Sequence, residues 1–211
     1  MNPHLILASS SPSRKMILNK LGIPYQAISP EIDEQVLPGE EATAHVLRLA
    51  KEKALKVAEN ITTPSLIIGC DSVCILNGEI MSKPETHAVA VKQLEASSGK
   101  IVYFYSGLAL YHSATQQWQH SVTRTEVHFK TLSPALIEVY LQKDQPYQCA
   151  GSIKAEGLGI ILIDKMIADD PNSLVGLPLI ELIRMLEQVG FLFFNRKKHF
   201  TSKKISCIIE T

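Results

Sequence analysis

Six charged side chains in the first half of this sequence are of the types that act on phosphate groups. They are the cations Arg14, Lys53 and Lys83 and the acids Asp33, Glu34 and Asp71. Hydrolysis of a phosphoanhydride needs cations on the non-bridging oxygens, a carboxylate that holds a divalent metal, and a base or metal that deprotonates water. Hard oxygen ligands select magnesium or manganese over zinc. The set therefore predicts chemistry on a polyphosphate, although each residue alone has an ordinary explanation, such as Asp71 capping a turn.

A serine-rich turn follows the first apolar stretch, in the sequence LILASSSPSRKMIL. Ser11 is a favourable N-cap and Pro12 a favourable first helical residue, so a helix is predicted to begin there. Arg14 and Lys15 then lie in the first turn, where cations oppose the helix dipole. Free backbone N–H groups, serine hydroxyls and two cations at one point are typical of a phosphate cradle. A solvated basic turn is the alternative interpretation.

A lysine falls on the inner face of the second predicted helix, residues 41–60. Val46, Ala50 and Ala54 form an apolar stripe on this helix, and Lys53 lies within that stripe. An inward-facing lysine either extends its stem to water or reaches into a polar cleft. The sequence leaves both alternatives open.

A hairpin is predicted around Asn77-Gly78, the dipeptide preferred by two-residue turns between strands. Counting back from this turn sets Ser72 opposite Lys83. Strict alternation would turn Asp71 to the face opposite Lys83. A bulge or irregular strand start near Gly69 is therefore expected if the two side chains act together.

Strands alternate with helices along the chain, which predicts an α/β fold with a mixed twisted sheet flanked by helices. Beyond the first strand, the predicted strands are 23–28, 65–76, 79–83, 101–112, 118–130 and 160–163, and the later helices are 86–98, one beginning at Ser133-Pro134, and 178–189. The glycine-rich residues 146–159 are predicted to form a loop. We interpret residues 1–190 as one catalytic domain and residues 191–211 as a C-terminal extension: an added strand pair, an interface element or a frayed tail.

Composition excludes several classes of function. Among 211 residues, Lys plus Arg and Asp plus Glu both number 21, so no global field recruits nucleic acid or an anionic membrane. No stretch approaches the length of a membrane span, and the four cysteines form no C-x-x-C motif, which favours a cytoplasmic protein with reduced thiols. The sequence also lacks H-E-x-x-H, G-x-S-x-G, Walker and G-x-G-x-x-G motifs.

Several motifs, taken in order, resemble the Maf family of nucleoside triphosphate pyrophosphatases. They are LILASSSPSRKMIL, PEIDE, LRLAKEKA, IIGCDSVCILNGEIMSKP, AGSIKAEGLGI and NSLVGLP. The resemblance implies a two-lobed fold with a central nucleotide cleft, and cleavage between the α and β phosphates with a divalent cation, magnesium or manganese. It also implies a hydrolase with a house-cleaning role in nucleotide metabolism, and a homodimer.

The resemblance also implies roles for individual residues by motif position. Phosphate binding is assigned to Ser9, Ser11 and Arg14, catalysis to Asp71, Lys53 and Lys83, and metal binding to Asp33 and Asp71. Asp71 stands at the position of the proton acceptor, and Asp33 within PEIDE at the position of the second functional carboxylate.

Three positions bear on the choice of base: Ser13, Ser72 and Glu156. The loop around Glu156 resembles the branch that acts on 7-methyl-GTP, whereas the branches that act on dTTP and UTP carry glutamine there. A carboxylate accepts from the N1–H and amine of guanine and favours the cationic 7-methylated ring. Ser13 replaces a tryptophan and Ser72 a glutamine usual in that branch, and a lost aromatic platform removes about 1–3 kcal/mol of stacking per base.

Two alternatives to 7-methyl-GTP hydrolysis follow. One is a pyrophosphatase for dTTP and UTP, or for another modified or deaminated nucleotide. The other is a nucleotide-binding regulator of cell division without turnover. A nucleic-acid-binding module is disfavoured by the balanced charge.

Overall fold

The computed structural model describes residues 3–193, in which seven strands form one sheet and five α-helices pack against it. The strands are β1 (His4–Ala8), β2 (Gln26–Ile28), β3 (Ser65–Leu76), β4 (Glu79–Met81), β5 (Ile101–His112), β6 (Gln117–Phe129) and β7 (Ile163–Ile167). The helices are α1 (Pro12–Asn19), α2 (Ala42–Ala58), α3 (His87–Ser97), α4 (Pro134–Asp144) and α5 (Leu179–Gln188), with 3₁₀ turns at Ala150–Ser152, Leu158–Leu162 and Ser173–Val175. Most of the predicted C-terminal extension, residues 194–211, lies outside the described residues.

The sheet is mixed, as the sequence predicts. Its strand order is β2-β1-β3-β5-β6-β7, and β4 pairs with β3. Strand β1 runs parallel to both β2 and β3, whereas the other pairs are antiparallel. None of the helices in residues 3–193 is long and apolar enough to cross a membrane.

Two helices begin as predicted, with a serine cap followed by proline. The Ser11 Oγ accepts a hydrogen bond from the Arg14 amide at 3.4 Å, and the Ser133 Oγ accepts one from the Leu136 amide at 3.2 Å. These bonds satisfy amides that have no partner within the helix. The start of α1 is thereby fixed directly after the turn that follows β1.

The predicted strand at residues 160–163 is wrong for all but its last residue, because residues 160–162 belong to a 3₁₀ turn and β7 begins at Ile163. Lys130, just past the end of β6, explains the difference. Its amide donates to the Leu162 carbonyl at 2.9 Å and its ammonium to the Ile161 carbonyl at 3.0 Å. These carbonyls are therefore engaged outside a strand ladder.

Strand β2 is shorter than the predicted span of residues 23–28 and covers Gln26–Ile28. Pro24 has no N–H to donate to a ladder, so pairing with β1 begins only after it. The short strand lies at the edge of the sheet.

One edge of β3 is interrupted. Strand β1 pairs with it up to Ala8 opposite Gly69, and β4 pairs with it from Met81 opposite Cys74. On the other edge, β5 pairs with β3 through ten successive positions without a register shift. The irregularity near Gly69 that would bring Asp71 and Lys83 to the same face is therefore absent. Residues 70–73 have no strand neighbour on the interrupted edge.

Helix α2 lies unusually close to the sheet because two glycines face it. A Cβ on Gly69 would lie 1.9 Å from the Ala50 carbonyl oxygen, and a Cβ on Gly107 would lie 2.3 Å from the Val46 carbonyl oxygen. Glycine in a strand interior is typical of such close backbone approach. Because α2 lies so close to the sheet, Lys53, one turn beyond Ala50, also lies against β3.

The two larger apolar clusters share one face of β5. Leu108 and Leu110 belong to a cluster that includes α1 and α5, whereas Val102 and Phe104 belong to one that includes α3 and α4. Ser106, which is 1% exposed, lies between these two pairs along the strand. A polar position thus separates the two clusters on this face of the sheet.

Candidate functional site

Lys53 and Asp71 form a buried ion pair beneath α2. Alternation along β3 turns Asp71 toward α2, and the Lys53 Nζ lies 2.6 Å from the Asp71 Oδ1. The two residues are 4% and 7% exposed. The lysine therefore reaches a carboxylate inside the molecule rather than extending to water.

Glu34 joins this pair to Lys83. Its Oε1 lies 2.7 Å from the Lys53 Nζ, and its Oε2 lies 3.5 Å from the Lys83 Nζ. Strand β4 ends at Met81, so Lys83 lies beyond the ladder and its direction is not set by strand alternation. The structure thus connects Asp71, Lys53, Glu34 and Lys83 in one chain of ion pairs.

The lysines keep Glu34 ionised. Partial burial alone would raise the pKa of this carboxyl, but the hydrogen bond from Lys53 and the charges of Lys53 and Lys83 outweigh burial and hold the pKa below its usual value. Glu34 therefore carries a full negative charge at neutral pH. The two oxygens of the Glu34 carboxylate thus lie where the oxygens of a bound anion would contact Lys53 and Lys83.

A second cluster fixes the loop that carries Glu34. The Arg48 guanidinium donates to the Glu40 carboxylate at 2.6 and 2.7 Å and to the Gln35 carbonyl at 3.0 Å. His45, also on α2, lies 2.9 Å from the same carboxylate. The hydrogen bond from Arg48 lowers the pKa of Glu40 to about 2, despite the opposing effect of burial. The residue after Glu34 is thereby anchored to α2.

Arg14 lies on the other face of β3, beside Ser72. Its Nε donates to the Gly176 carbonyl at 2.9 Å and its Nη2 to the Ser72 Oγ at 3.5 Å. Ser106 donates to the Ser173 carbonyl at 2.8 Å, and Ser72 lies 2.9 Å from the Ser106 Oγ. Because the one hydroxyl proton of Ser106 is used, Ser72 donates to Ser106 and accepts from Arg14.

The ion-pair chain and Arg14 lie on opposite faces of β3, at the neighbouring residues Asp71 and Ser72. Burial raises the pKa of the Cys70 thiol, and the charges of Arg14, Lys53 and Asp71 all act on it. Cys70 is the first of the four residues without a strand neighbour on the interrupted edge of β3, and Lys83 follows β4 on the same edge. The predicted cations and Asp71 are therefore grouped around one stretch of β3.

The serine turn borders the same edge. Ser9 directly follows β1 and is 4% exposed, and its Oγ accepts from the Ser11 amide at 3.2 Å. Ser11 in turn caps α1. A serine oxygen that accepts from the backbone keeps its own proton to donate. The two hydroxyls are thus available as donors to an anion at the start of α1.

Two of the three predicted specificity residues contact each other. The Ser13 hydroxyl donates a short hydrogen bond to the Glu156 Oε1 across 143 positions of sequence. Glu156 is exposed, so most of its acceptor capacity faces solvent. The third, Ser72, lies with Arg14 as described above.

Within residues 3–193, Asp33 forms no hydrogen bond or ion pair with a member of the ion-pair chain. It is exposed, and its Oδ1 accepts a hydrogen bond from the Gln35 amide at 3.0 Å. The neighbouring Glu34 is the acid that contacts both lysines. Within residues 3–193, no group of three or more His, Cys, Asp or Glu side chains is assembled to hold a metal ion.

Sequence reasoning missed the supports of the site. Ser106 and the Gly176 carbonyl hold Ser72 and Arg14, and neither stands in a charged motif. The glycines at 69 and 107 were a usable signal, because glycine inside an apolar strand indicates close contact with another backbone. Backbone carbonyls leave no comparable signal in the sequence.

Comparisons with known proteins show the family to which this chain belongs. The sequence pattern described as Maf-like protein, of the Maf family, matches residues 4–189. The chain is 49% identical over 189 residues to the 7-methyl-GTP pyrophosphatase of Vibrio vulnificus, covering 90% of this chain and 96% of the other. It is 52% identical over 188 residues to the 7-methyl-GTP pyrophosphatase of Methylobacillus flagellatus, covering 89% and 97%.

The solved structures that match this chain are more distant. The Ham1 protein of Staphylococcus aureus matches with a TM-score of 0.44 at 15% identity, covering 61% of this chain and 72% of the other. A HAM1 protein from Coxiella burnetii matches with a TM-score of 0.43 at 16% identity, covering 76% and 98%. The family assignment depends on the sequence matches, which extend over nearly all of the described chain: this protein belongs to the Maf family.

Proposed function

We infer that this protein hydrolyses 7-methyl-GTP to 7-methyl-GMP and pyrophosphate. The observation that carries the inference is the buried Asp71–Lys53 pair, at 2.6 Å, with Lys83 and Arg14 grouped around the same stretch of β3. The names of the relatives from Vibrio vulnificus and Methylobacillus flagellatus support the choice of nucleotide.

Asp71 is the group that takes a proton from the attacking water. Its Oδ1 is held by Lys53, so its orientation is fixed and the other oxygen is the one that accepts the proton. Burial beneath α2 strengthens electrostatic interactions at this point, because little solvent screens them. A fixed base next to a buried cation suits attack on the α-phosphorus.

The cations neutralise the charge that develops on the phosphates. Lys53 and Lys83 both contact Glu34 in the free protein, so a triphosphate takes over lysines that this carboxylate otherwise satisfies. Arg14, with the hydroxyls of Ser9 and Ser11, binds further phosphate oxygens at the start of α1, where backbone amides favour anions. Pyrophosphate then leaves with its charge stabilised.

The acidic residues fit a divalent cation. Magnesium commonly uses one or two protein carboxylates together with substrate phosphates. Asp71 and Glu34 both bind the Lys53 Nζ, so their carboxylates lie close together and offer hard oxygen donors. When bound, magnesium or manganese would polarise a phosphate oxygen and lower the pKa of water. Asp33, the ligand implied by the resemblance, lies one residue from Glu34 and stays a prediction.

Glu156 recognises the base. Its carboxylate accepts one hydrogen bond from Ser13 and has room for two parallel donors such as the N1–H and amine of guanine. Its negative charge also favours the positive charge of a 7-methylated ring. Ser13 fixes this carboxylate instead of supplying an aromatic platform.

A second candidate substrate is another triphosphate, such as dTTP, UTP or a different modified nucleotide. The observation that favours it is the small pair Ser13 and Ser72, which stand where the 7-methyl-GTP branch usually has tryptophan and glutamine. A nucleotide-binding regulator without turnover needs no base at Asp71.

A homodimer and a cytoplasmic location also stay predictions.

The test is a panel of triphosphates that includes 7-methyl-GTP, GTP, dTTP, UTP and ITP, each with magnesium or manganese. We expect 7-methyl-GTP to give the highest kcat/KM, with monophosphate and pyrophosphate as products. Glu156→Gln should lower kcat/KM for 7-methyl-GTP, and the exposed Glu95→Gln on α3 is the matched control. No release of pyrophosphate from any triphosphate would contradict the proposal.

Two further variants separate the acidic residues. If Glu34 is the second metal ligand, Glu34→Gln raises the magnesium concentration needed for half-maximal rate more than Asp33→Asn does. The reverse order would favour the assignment implied by the resemblance. Asp71→Asn should abolish turnover in either case.

A further inference from the structure

Two segments of the chain each carry one part of the proposed site. They contact each other through residues that lie outside the site. Residues 82–86 connect β4 to α3 and carry Lys83, which binds phosphate under the proposed function. Residues 146–157 form the loop that carries Glu156, which binds the base. The contacts between these two segments have no direct part in the chemistry.

The side chain of Gln93, on α3, bonds to both segments. Its Nε2 donates to the Ser82 carbonyl at 3.0 Å, directly before Lys83. Its Oε1 accepts from the Ser152 hydroxyl at 2.6 Å, and Ser152 is fully buried. One amide therefore uses its donor on the lysine segment and its acceptor on the base loop.

A second contact joins the same two segments. The Glu85 amide donates to the Tyr147 carbonyl at 3.0 Å. The Tyr147 hydroxyl lies 3.1 Å from the His87 Nδ1, at the first residue of α3. Residues on both sides of Lys83 are thus bonded to the base loop or to the helix that holds it.

The base loop is closely packed where Gln93 contacts it. Gly151 and Ser152 have φ values of +67° and +57°, a left-handed conformation that only glycine adopts without cost. A Cβ on Gly151 would lie 2.5 Å from the Cys74 Sγ, so this turn packs directly on β3. This turn therefore has little space in which the backbone at Ser152 could shift without moving its neighbours.

We propose that Gln93 is a positioning residue that couples the loop binding the base to the lysine binding the phosphates. The proposal rests on the function inferred above and adds a residue that touches neither substrate nor metal. Its consequence is that the placement of Lys83 depends on the base loop, so a nucleotide whose base engages that loop gains better phosphate contacts.

Two variants of Gln93 separate its two bonds. Gln93→Leu removes both the donor and the acceptor. Gln93→Glu keeps an acceptor for Ser152 but sets a carboxylate against the Ser82 carbonyl, where two acceptors repel. The matched control is Gln119→Leu, because the Gln119 amide also donates to a backbone carbonyl, that of Met185 at 3.0 Å, far along the chain from the site.

The first measurement is amide hydrogen exchange of the intact free protein. We expect Gln93→Leu to accelerate exchange of the Glu85 and Ser152 amides together by about tenfold or more, because local opening frees both segments. Gln119→Leu should leave both amides unchanged. This measurement needs no substrate, so it decides on the coupling even if the panel of triphosphates shows no turnover.

The second measurement is a double-mutant cycle on the best triphosphate of the panel. Gln93→Leu alone should lower kcat/KM by about tenfold, and by less than about twofold in a Lys83→Ala background, since coupled residues show non-additive effects. Gln93→Glu should behave like Gln93→Leu.

Other results would overturn the proposal. Exchange that rises in only one of the two segments would show that Gln93 does not join them. Equal losses of kcat/KM in the presence and absence of the Lys83 side chain would assign Gln93 a general role in stability. Equal effects of Gln93→Leu and Gln119→Leu would lead to the same conclusion.

Discussion

Replacement of Gly69 by alanine tests whether the close packing of α2 creates the site. The added Cβ would lie 1.9 Å from the Ala50 carbonyl oxygen, whereas real Cβ atoms keep at least 3.0 Å, so helix or strand has to shift by about 1.1 Å. The obstacle is backbone, which cannot rotate away as a flexible side chain can. The shift therefore falls on α2 as a whole, including Lys53.

The expected losses differ in size. Overpacking of this kind costs about 1–3 kcal/mol of the free energy of unfolding. Displacement of a catalytic group by about 1 Å costs up to about 100-fold in rate. We therefore expect Gly69→Ala to remain folded at 25 °C while kcat/KM falls by roughly two orders of magnitude.

Urea denaturation and steady-state kinetics measure the two losses on the same preparation. Ile137→Val is the control, because Ile137 is buried in the cluster beneath α3 and α4, away from α2. It should cost about 0.5–1.5 kcal/mol of stability and leave kcat/KM unchanged. A folded Gly69→Ala protein with activity within threefold of the unaltered protein would refute the argument that this contact positions Lys53.

Three further predictions follow from the ion pairs and caps. Lys53→Met should cost about 3 kcal/mol in urea denaturation, because it leaves Asp71 buried without its cation, and addition of Asp71→Asn should restore stability but not activity. The ionised Glu40 carboxylate should stabilise the folded state fully above about pH 4.5, and this contribution should be lost as the pH falls toward its folded pKa of about 2. Urea denaturation of Glu40→Gln across this pH range should therefore show a weaker pH dependence than that of the unaltered protein. Ser11→Ala should lower stability by about 1 kcal/mol and raise KM, and unchanged KM would argue against a phosphate site at the start of α1.

Local signals predicted the elements that place the proposed catalytic residues. The Ser11 cap, the hairpin turn after Leu76 and the inward direction of Lys53 all depend on neighbours within a few positions, and the structure confirms each of them. The sheet is mixed and flanked by helices as predicted, because alternation of strands and helices restricts the possible architectures.

The parts that could not be predicted depend on contacts between distant segments. Alternation placed Lys83 and Asp71 on opposite faces, but the chain leaves the ladder after Met81 and Glu34 bridges the gap from another loop. Asp33 and Glu34 are adjacent, and the conformation of their loop decides which of the two carboxylates faces the lysines. Arg48, on α2, holds this loop by donating to the Gln35 carbonyl. No local pattern records such contacts.

The break between β1 and β4 along β3 leaves a short stretch of β3 without a strand neighbour beside the proposed site. Its width is four residues, from Cys70 to Val73, and it is fixed by where the two flanking strands stop. Extending β4 by one more pair of ladder residues would set Ser82 opposite Val73 and shorten this break. Strand length, as well as side-chain identity, thus determines how much of β3 beside Asp71 is left without a strand neighbour.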